Sequence, residues 1–316
     1  MTMNFTKKNM MRYLALALCV MSVFSFSTFN SKAVAEDSVL NVVATTTMLN
    51  DLVSIIGGDS VKSVGLMGSG IDPHLYKASA GDVTKLLDAD VVVYNGLHLE
   101  GQMGKIFENL NKQNKDVICA ENGIDASKLL ADPVTPDAHD PHIWFDVTIW
   151  MDVATYVSTR LSEIDPANAE NYKSNLEAYM VELKDLDQYI KDRVAELPEA
   201  QRVLITAHDA FHYFGNGYNF EVKGLQGIST EAEAGTADVS TLATFIADNK
   251  IKAIFVESSV PRKNVEALQA AVSAKGFDTV IGGELYSDSL GDATTGHDTY
   301  ITTCKANVDT IIDALK

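Results

Sequence analysis

Short, continuous apolar runs alternate with amphipathic segments along most of the chain. Continuous apolar runs are typical of strands that are buried on both faces of a parallel sheet. These runs are Val39–Ala44, Ser63–Leu66, Val91–Tyr94, Val117–Cys119, Val203–Thr206, Ala253–Val256 and Thr279–Ile281. The intervening segments place apolar residues at helical spacing, for example in Gly81–Leu87, Gly101–Leu110, Val239–Asn249 and Lys263–Ala274. The alternation predicts an α/β fold with helices covering parallel sheets.

One helical pattern is much longer than the others. It starts at Pro166, where proline suits the first turn and Asp165 is placed to cap it, and it stops before Pro198. Apolar residues recur within it at intervals of three and four, at Tyr172, Leu176, Tyr179, Leu183, Leu186, Ile190, Val194 and Leu197. We interpret this segment as one stiff connector that packs along two lobes.

The length of 316 residues exceeds that of a typical single core. The connector divides the strand pattern into two sets, which predicts an N-terminal lobe at 36–165, a connecting helix at 166–198 and a C-terminal lobe at 199–316. The predicted architecture is therefore two lobes with central parallel sheets joined by one long helix.

The first 35 residues have the pattern of a secretory signal peptide. Lys7, Lys8 and Arg12 precede an apolar stretch, and Ala33-Val34-Ala35 provides small residues for cleavage. A lipoprotein signal is disfavoured because Leu18 stands before Cys19, where a small residue is expected. We therefore expect cleavage near Ala35 and a soluble mature chain in the periplasm or an equivalent extracytoplasmic space.

The charge of the chain narrows the range of partners. The net charge is −18, and removal of residues 1–35 lowers it to −22, since that segment holds four basic residues and no acid. A surface this acidic repels nucleic acid and anionic lipid and favours cations. Two cysteines, Cys119 and Cys304, remain after cleavage, and their expected positions in different lobes disfavour a disulfide without excluding one.

One short pattern occurs twice, as Asp72-Pro73-His74-Leu75-Tyr76 and Asp140-Pro141-His142-Ile143-Trp144. Proline fixes its own φ and keeps the preceding residue extended, so each histidine lies on a stiff loop next to an acid. Stiff, repeated imidazoles are typical of a metal site. A binding protein and a metalloenzyme are the two interpretations that this pattern leaves.

Two further candidate ligands follow strands of the second set. His208 comes directly after Val203–Thr206, and Asp288 follows Thr279–Ile281. Ligand sites in open α/β sheets gather at the carboxyl ends of strands, so two facing lobes would bring two ligands each to their interface. Three imidazoles and one carboxylate suit Zn²⁺, Mn²⁺ or another first-row ion. His98, His139 and His297 lack such a context.

The enzyme interpretation uses a different pair of histidines. His208 and His212 are four residues apart, as in the zincin motif, and Glu231 or Glu233 would be the third ligand. However, the general base of that motif is glutamate, whereas this chain has Asp209. This interpretation also leaves both Asp-Pro-His segments unexplained. A third class, a cell-surface adhesin, lacks any repeat or anchor signal.

The chain resembles the metal-binding solute-binding proteins of ABC transporters (cluster A-I), which import zinc and manganese. The matching segments are 70–76, 94–100, 140–146, 206–211, 256–259 and 282–288, and the resemblance covers essentially the whole mature chain. It implies two α/β lobes joined by one long helix and a metal ion at the lobe interface. By resemblance, the metal ligands are His74, His142, His208 and Asp288. It also implies a monomer that serves a membrane permease and has no enzymatic activity.

Two features bear on the choice of metal. Zinc-dedicated relatives often carry a long loop rich in His and Asp before the second ligand, but here Leu130–Asp140 is short and holds only His139. Manganese-dedicated relatives often carry glutamate where this chain has His208. The chain therefore resembles the branch of mixed specificity, although imidazole and the general affinity order favour zinc.

Overall fold

The computed structural model describes residues 39–133, 135 and 137–316. In the first lobe, four parallel strands form one sheet in the order β2-β1-β3-β4. These strands are β1 (Leu40–Ala44), β2 (Val61–Gly65), β3 (Val91–Tyr94) and β4 (Asp116–Cys119). The helices of this lobe are α1 (Thr47–Gly57), α2 (Ala80–Asp88), α3 (Gly104–Lys112) and α4 (Val147–Ile164). Val91, Val92 and Val93 are fully buried, as a central strand covered on both faces requires.

The second lobe contains two parallel strand pairs. One pair joins β5 (Val203–Thr206) to β6 (Glu221–Gly224), and the other joins β7 (Ala253–Glu257) to β8 (Val280–Leu285). Strand β5 also contacts β7, so the two pairs lie side by side. The helices of this lobe are α6 (His212–Tyr218), α7 (Thr236–Asn249), α8 (Lys263–Ser273) and α9 (Tyr300–Leu315).

The predicted connector is present as a long helix, α5 (Ala169–Ala195), preceded by a short 3-10 turn at Pro166–Asn168. Its 27 residues correspond to a length of about 40 Å. Helix α5 contacts α1 and α4 from the first lobe and α9 from the second. Its buried residues are those of the predicted stripe: Tyr172, Tyr179, Leu183, Leu186, Ile190 and Val194. The largest hydrophobic cluster accordingly runs from the first lobe across α5 into the second.

The sequence pattern missed β6 and misplaced β8. Strand β6 is half-exposed and carries Glu221 and Lys223, so it lacks a continuous apolar run. Strand β8 continues through Gly282 and Gly283 to Leu285, beyond the predicted end at Ile281. The two glycines interrupt the apolar run, so the sequence pattern does not indicate the second half of this strand. They are needed there because a Cβ on Gly282 would lie 2.6 Å from Ala314 and one on Gly283 would lie 2.5 Å from Thr310, both on α9.

The predicted signal peptide, residues 1–35, lies outside the described residues. Within the described ranges, no helix is both long enough and apolar enough to cross a bilayer. Cys119 and Cys304 are both free thiols, so the disfavoured disulfide does not form.

Candidate metal centre

The two Asp-Pro-His segments form the same local turn. Asp72 Oδ1 accepts a hydrogen bond from the His74 backbone N–H at 2.8 Å, and Asp140 Oδ1 accepts one from the His142 N–H at 2.9 Å. Each aspartate therefore reaches across its proline to fix the backbone of the histidine. The first turn follows β2, and the second precedes α4. The repeated pattern thus sets two imidazoles in place from one lobe.

The other two candidate ligands lie beyond strand ends in the second lobe. His208 follows β5, and its backbone N–H donates to Glu257 Oε1, at the end of β7, at 2.8 Å. Asp288 follows β8, and its Oδ2 accepts a hydrogen bond from the Ser259 hydroxyl at 3.1 Å. Both residues therefore lie at the carboxyl edge of the parallel strands, as predicted.

The four side chains converge at the interface of the lobes. The Nε2 atom of His142 lies 3.3 Å from the Nε2 atoms of both His74 and His208. Asp288 Oδ1 lies 3.4 Å from the Nε2 atoms of His142 and His208. His74 is 4% exposed, and the other three are exposed by 1% or less. Each residue offers one donor atom, and these donor atoms all lie within 4.8 Å of one another.

Two carboxylates orient two of the imidazoles through the ring nitrogens that face away from the other ligands. Asp140 Oδ1 lies 2.6 Å from His142 Nδ1, and Glu257 Oε2 accepts from His208 Nδ1. These contacts assign the ring proton of each neutral imidazole to Nδ1 and leave the Nε2 lone pair facing the centre. Asp288 Oδ1 has no hydrogen-bond partner among the described residues although it is buried. A buried carboxylate oxygen without a partner costs free energy unless a cation meets it.

Four of the six donor-to-donor distances match those around a tetrahedral ion. Two ligands that each lie roughly 2.0–2.1 Å from a tetrahedral zinc ion are separated from each other by roughly 3.3–3.4 Å. The separations that involve His142, together with that between His208 and Asp288, are 3.3, 3.3, 3.4 and 3.4 Å, and all donor atoms lie within 4.8 Å of one another. Nitrogen and carboxylate donors are also the types that zinc and other first-row ions prefer.

The charges within the cluster are strongly coupled. Burial opposes protonation of His142, but the charges of Asp140 and Asp288 outweigh burial and raise its pKa to about 9. For His208, the charges of Glu257 and Asp288 likewise outweigh burial and raise the pKa. Burial lowers the pKa of His74 to about 3. Burial disfavours the charged form of Asp288, but the neighbouring imidazoles hold its pKa well below the ordinary value. The cluster is therefore a preformed site for positive charge.

The enzyme interpretation is not supported by the geometry. Helix α6 begins at His212, so His208 lies on the preceding loop and the two histidines do not share a helix face. His212 Nε2 lies 2.9 Å from Asp209 Oδ1, and Glu231 Oε1 accepts a hydrogen bond from Gln102. Within the described part of the chain, the cluster of His74, His142, His208 and Asp288 is the one group of metal-ligating type.

Sequence reasoning did not identify Glu257 as a partner of the site. Glu257 ends β7 as a buried acid after an apolar strand, and that placement was the available signal. The sequence also gives no sign that His212 lies near the site, yet its Nδ1 atom lies 3.8 Å from Asp140 Oδ2. His98 is exposed in a left-handed conformation, and His297 Nδ1 lies 3.2 Å from the Tyr286 hydroxyl.

Comparisons with known proteins agree with this arrangement. The zinc-binding protein TroA of Treponema pallidum is 45% identical over 300 residues, which are 95% of this chain and 96% of TroA. The manganese-binding lipoprotein MntA of Bacillus subtilis is 41% identical, over 94% of this chain and 99% of MntA. The metal ABC transporter substrate-binding lipoprotein SsaB of Streptococcus sanguinis is 31% identical, over 98% of this chain and 99% of SsaB.

The fold comparison points to the same group of proteins. The solved structure of the periplasmic zinc-binding protein TroA matches with a TM-score of 0.85 and 46% identity, over 87% of this chain and 99% of TroA. The two-lobe fold with a connecting helix is therefore confirmed. These relatives are named as binding proteins, not enzymes. Residues 42–314 match the family described as zinc-uptake complex component A, periplasmic, and the chain belongs to that family.

Proposed function

We propose that this protein captures one divalent transition-metal ion outside the cytoplasm and delivers it to the membrane permease of an ABC importer. The ligands are His74, His142, His208 and Asp288. The observation that supports this most strongly is the convergence of three Nε2 atoms with an otherwise unpartnered carboxylate oxygen. Four protein ligands complete a tetrahedral sphere and leave no position for an activated water, which suits binding better than hydrolysis.

Zinc is the ion that this site binds most tightly, with manganese as a weaker ligand. Three imidazoles favour zinc over manganese, which prefers oxygen donors and higher coordination numbers. The short donor separations also suit a four-coordinate ion. The relatives are named for zinc and for manganese, so the supply of each metal decides the cargo in the cell.

The lobes divide at the boundaries that the sequence predicts, 36–165 and 199–316, with 166–198 as the connector. Each lobe contributes two ligands, so release requires at least one pair to move. His208 and Asp288 lack the Asp-Pro turn that fixes His74 and His142. Trp144 Nε1 holds the Asp288 loop from across the interface by donating to the Ser287 carbonyl at 2.9 Å. Local movement of this loop would open the site without separating the lobes.

The protein acts as a monomer after removal of residues 1–35, and it does not bind nucleic acid. The acidic composition supports the absence of nucleic-acid binding, and the Ala33-Val34-Ala35 segment supports the removal of residues 1–35. Intact mass spectrometry of the exported protein would show a chain that begins at Glu36. A chain that retains Met1, or one that is lipid-modified at Cys19, would contradict the proposed processing.

The test of the proposed function is a competition titration of metal-free protein with zinc and with manganese against a chromophoric chelator. Wild type should bind one ion per chain, with zinc the tighter. Asp288→Asn should weaken zinc binding by more than about 100-fold, because it removes the one carboxylate among the four proposed ligands. Asp292→Asn is the matched control, since Asp292 is exposed on the same loop and should leave the affinity unchanged. One tightly held zinc ion in Asp288→Asn would contradict the proposal.

A further inference from the structure

The two carboxylates behind the metal site are used differently. One carboxylate oxygen of Glu257 accepts a hydrogen bond from the His208 backbone N–H, and the other accepts one from the His208 ring. Asp140 Oδ1 contacts both the backbone N–H and the ring Nδ1 of His142, whereas Asp140 Oδ2 has no hydrogen-bond partner in the described part of the chain. Asp140 is 0% exposed, so this oxygen is also cut off from solvent. Buried polar atoms without a hydrogen-bond partner are uncommon in folded proteins, so this oxygen is a candidate for a functional role.

The group that faces this oxygen is the ring of His212. Its Nδ1 atom lies 3.8 Å from Asp140 Oδ2, and its Nε2 atom lies 2.9 Å from Asp209 Oδ1. The His212 side chain is 25% exposed, in a surface groove that Asp209 also lines. The contacts therefore run from the ligand His142 through Asp140 and His212 to Asp209 and the solvent. Among the described residues no comparable path leads outward from Glu257, because both of its oxygens accept from His208.

We propose that His212 is a positioning residue that couples metal affinity to pH through Asp140. When His212 is neutral, the full charge of Asp140 supports the Nδ1 proton of His142 and makes its Nε2 a strong donor to the metal. When His212 is protonated, it pairs with Oδ2 of Asp140, so the interaction of Asp140 with the Nδ1 proton of His142 becomes weaker. The protonated ring also adds positive charge near the metal ion. Metal affinity then falls. This inference rests on the proposed function of the site.

The surroundings of His212 raise the pKa of its ring above the ordinary value. The hydrogen bond to Asp209 raises the pKa of His212, burial opposes this, and the charge of Asp140 raises it further. The nearby cationic form of His142 acts in the opposite direction. The groove also contains Lys223, from β6, and the acids Glu233 and Asp238. Acidic groups therefore outnumber the basic ones around this ring and favour its protonated form.

The test compares two substitutions that fix the charge at position 212. His212→Gln is never charged and His212→Lys is always charged. Zinc affinity is measured by chelator competition at pH 6 and pH 8, with zinc alone as the probe. At pH 6, His212→Gln should bind zinc about three- to tenfold more tightly than wild type, and at pH 8 the two should agree. His212→Lys should match wild type at pH 6 and bind more weakly at pH 8.

Two further variants separate the possible outcomes. Asp209→Asn should move the wild-type transition to lower pH, because it removes the acid that favours protonated His212. His98→Gln is the control, since His98 is exposed and should leave the profile unchanged. Equal weakening of His212→Gln at both pH values would show a purely structural role, and identical profiles for all variants would show no role. Either result would overturn the inference, whereas failure of wild type to bind zinc would instead reject the proposed function.

Discussion

The Thr230 hydroxyl donates a hydrogen bond of 2.6 Å to Asp72 Oδ2 across the interface of the two lobes. The other oxygen of Asp72 holds the backbone of His74, so this contact links a ligand of the first lobe to a loop of the second. Thr230 is 7% exposed, which shields the bond from water. The contact is therefore part of what keeps the metal site closed.

The first prediction concerns this contact. Thr230→Val keeps the shape of the side chain but removes the donor, which should cost about 1–2 kcal/mol and lower zinc affinity by roughly five- to thirtyfold. The change should come mainly from faster release, measured by stopped-flow transfer of zinc to a chelator. Thr244→Val is the control, because Thr244 donates only within its own exposed helix. Equal release rates for wild type and Thr230→Val would show that the contact does not hold the site closed.

The second prediction concerns Glu257. Glu257→Gln retains the size of the side chain, but its amide NH₂ cannot accept the proton of His208, so the ring loses its orientation. Zinc affinity should fall by about 10–100-fold. Glu266→Gln, on the exposed face of α8, should have no effect in the same titration. Unchanged affinity in Glu257→Gln would remove Glu257 from the site.

The third prediction concerns Asp51 and stability. Asp51 Oδ2 accepts the Tyr300 N–H at the start of α9, but burial raises the pKa of this carboxyl to about 6. A raised carboxyl pKa means that the folded state holds the proton more tightly. Stability is therefore lost as pH rises from about 4 through 6, and ionised Asp51 is a cost at pH 7.5.

Asp51→Asn should raise the free energy of unfolding of metal-free protein by about 1–2 kcal/mol at pH 7.5, with little gain at pH 4. Urea denaturation at the two pH values measures this. Asp59→Asn, on an exposed turn, should change neither value. A loss of stability at pH 7.5 would show that the hydrogen bond to Tyr300 outweighs the cost of burying the charge.

The fourth prediction concerns motion. Helix α5 buries its apolar stripe against helices of both lobes, so a wide opening would expose that stripe to water. Metal release should therefore change the radius of gyration by less than about 1 Å, as measured by small-angle scattering of metal-free and zinc-loaded protein. A larger change, of the size seen in hinged domain closure, would show that α5 does not hold the lobes together.

Much of the fold and of the candidate site followed from local sequence signals. Strands β3 and β5 have the predicted bounds, because continuous apolar runs mark them. The Asp-Pro-His segments were recognisable because their turn is made within five residues. The roles of Glu257 and His212 were not predictable in this way. Glu257 meets His208 across 49 residues and His212 meets Asp140 across 72, and only the packing of the strands and loops brings them together.

The most direct test of the account is a crystal structure of the zinc-loaded protein with anomalous diffraction measured above and below the zinc edge. We predict one strong anomalous peak per chain, roughly 2.0–2.2 Å from the Nε2 atoms of His74, His142 and His208 and from Asp288 Oδ1. A peak bound by only one lobe, or zinc held elsewhere on the chain with these four residues uncoordinated, would contradict it.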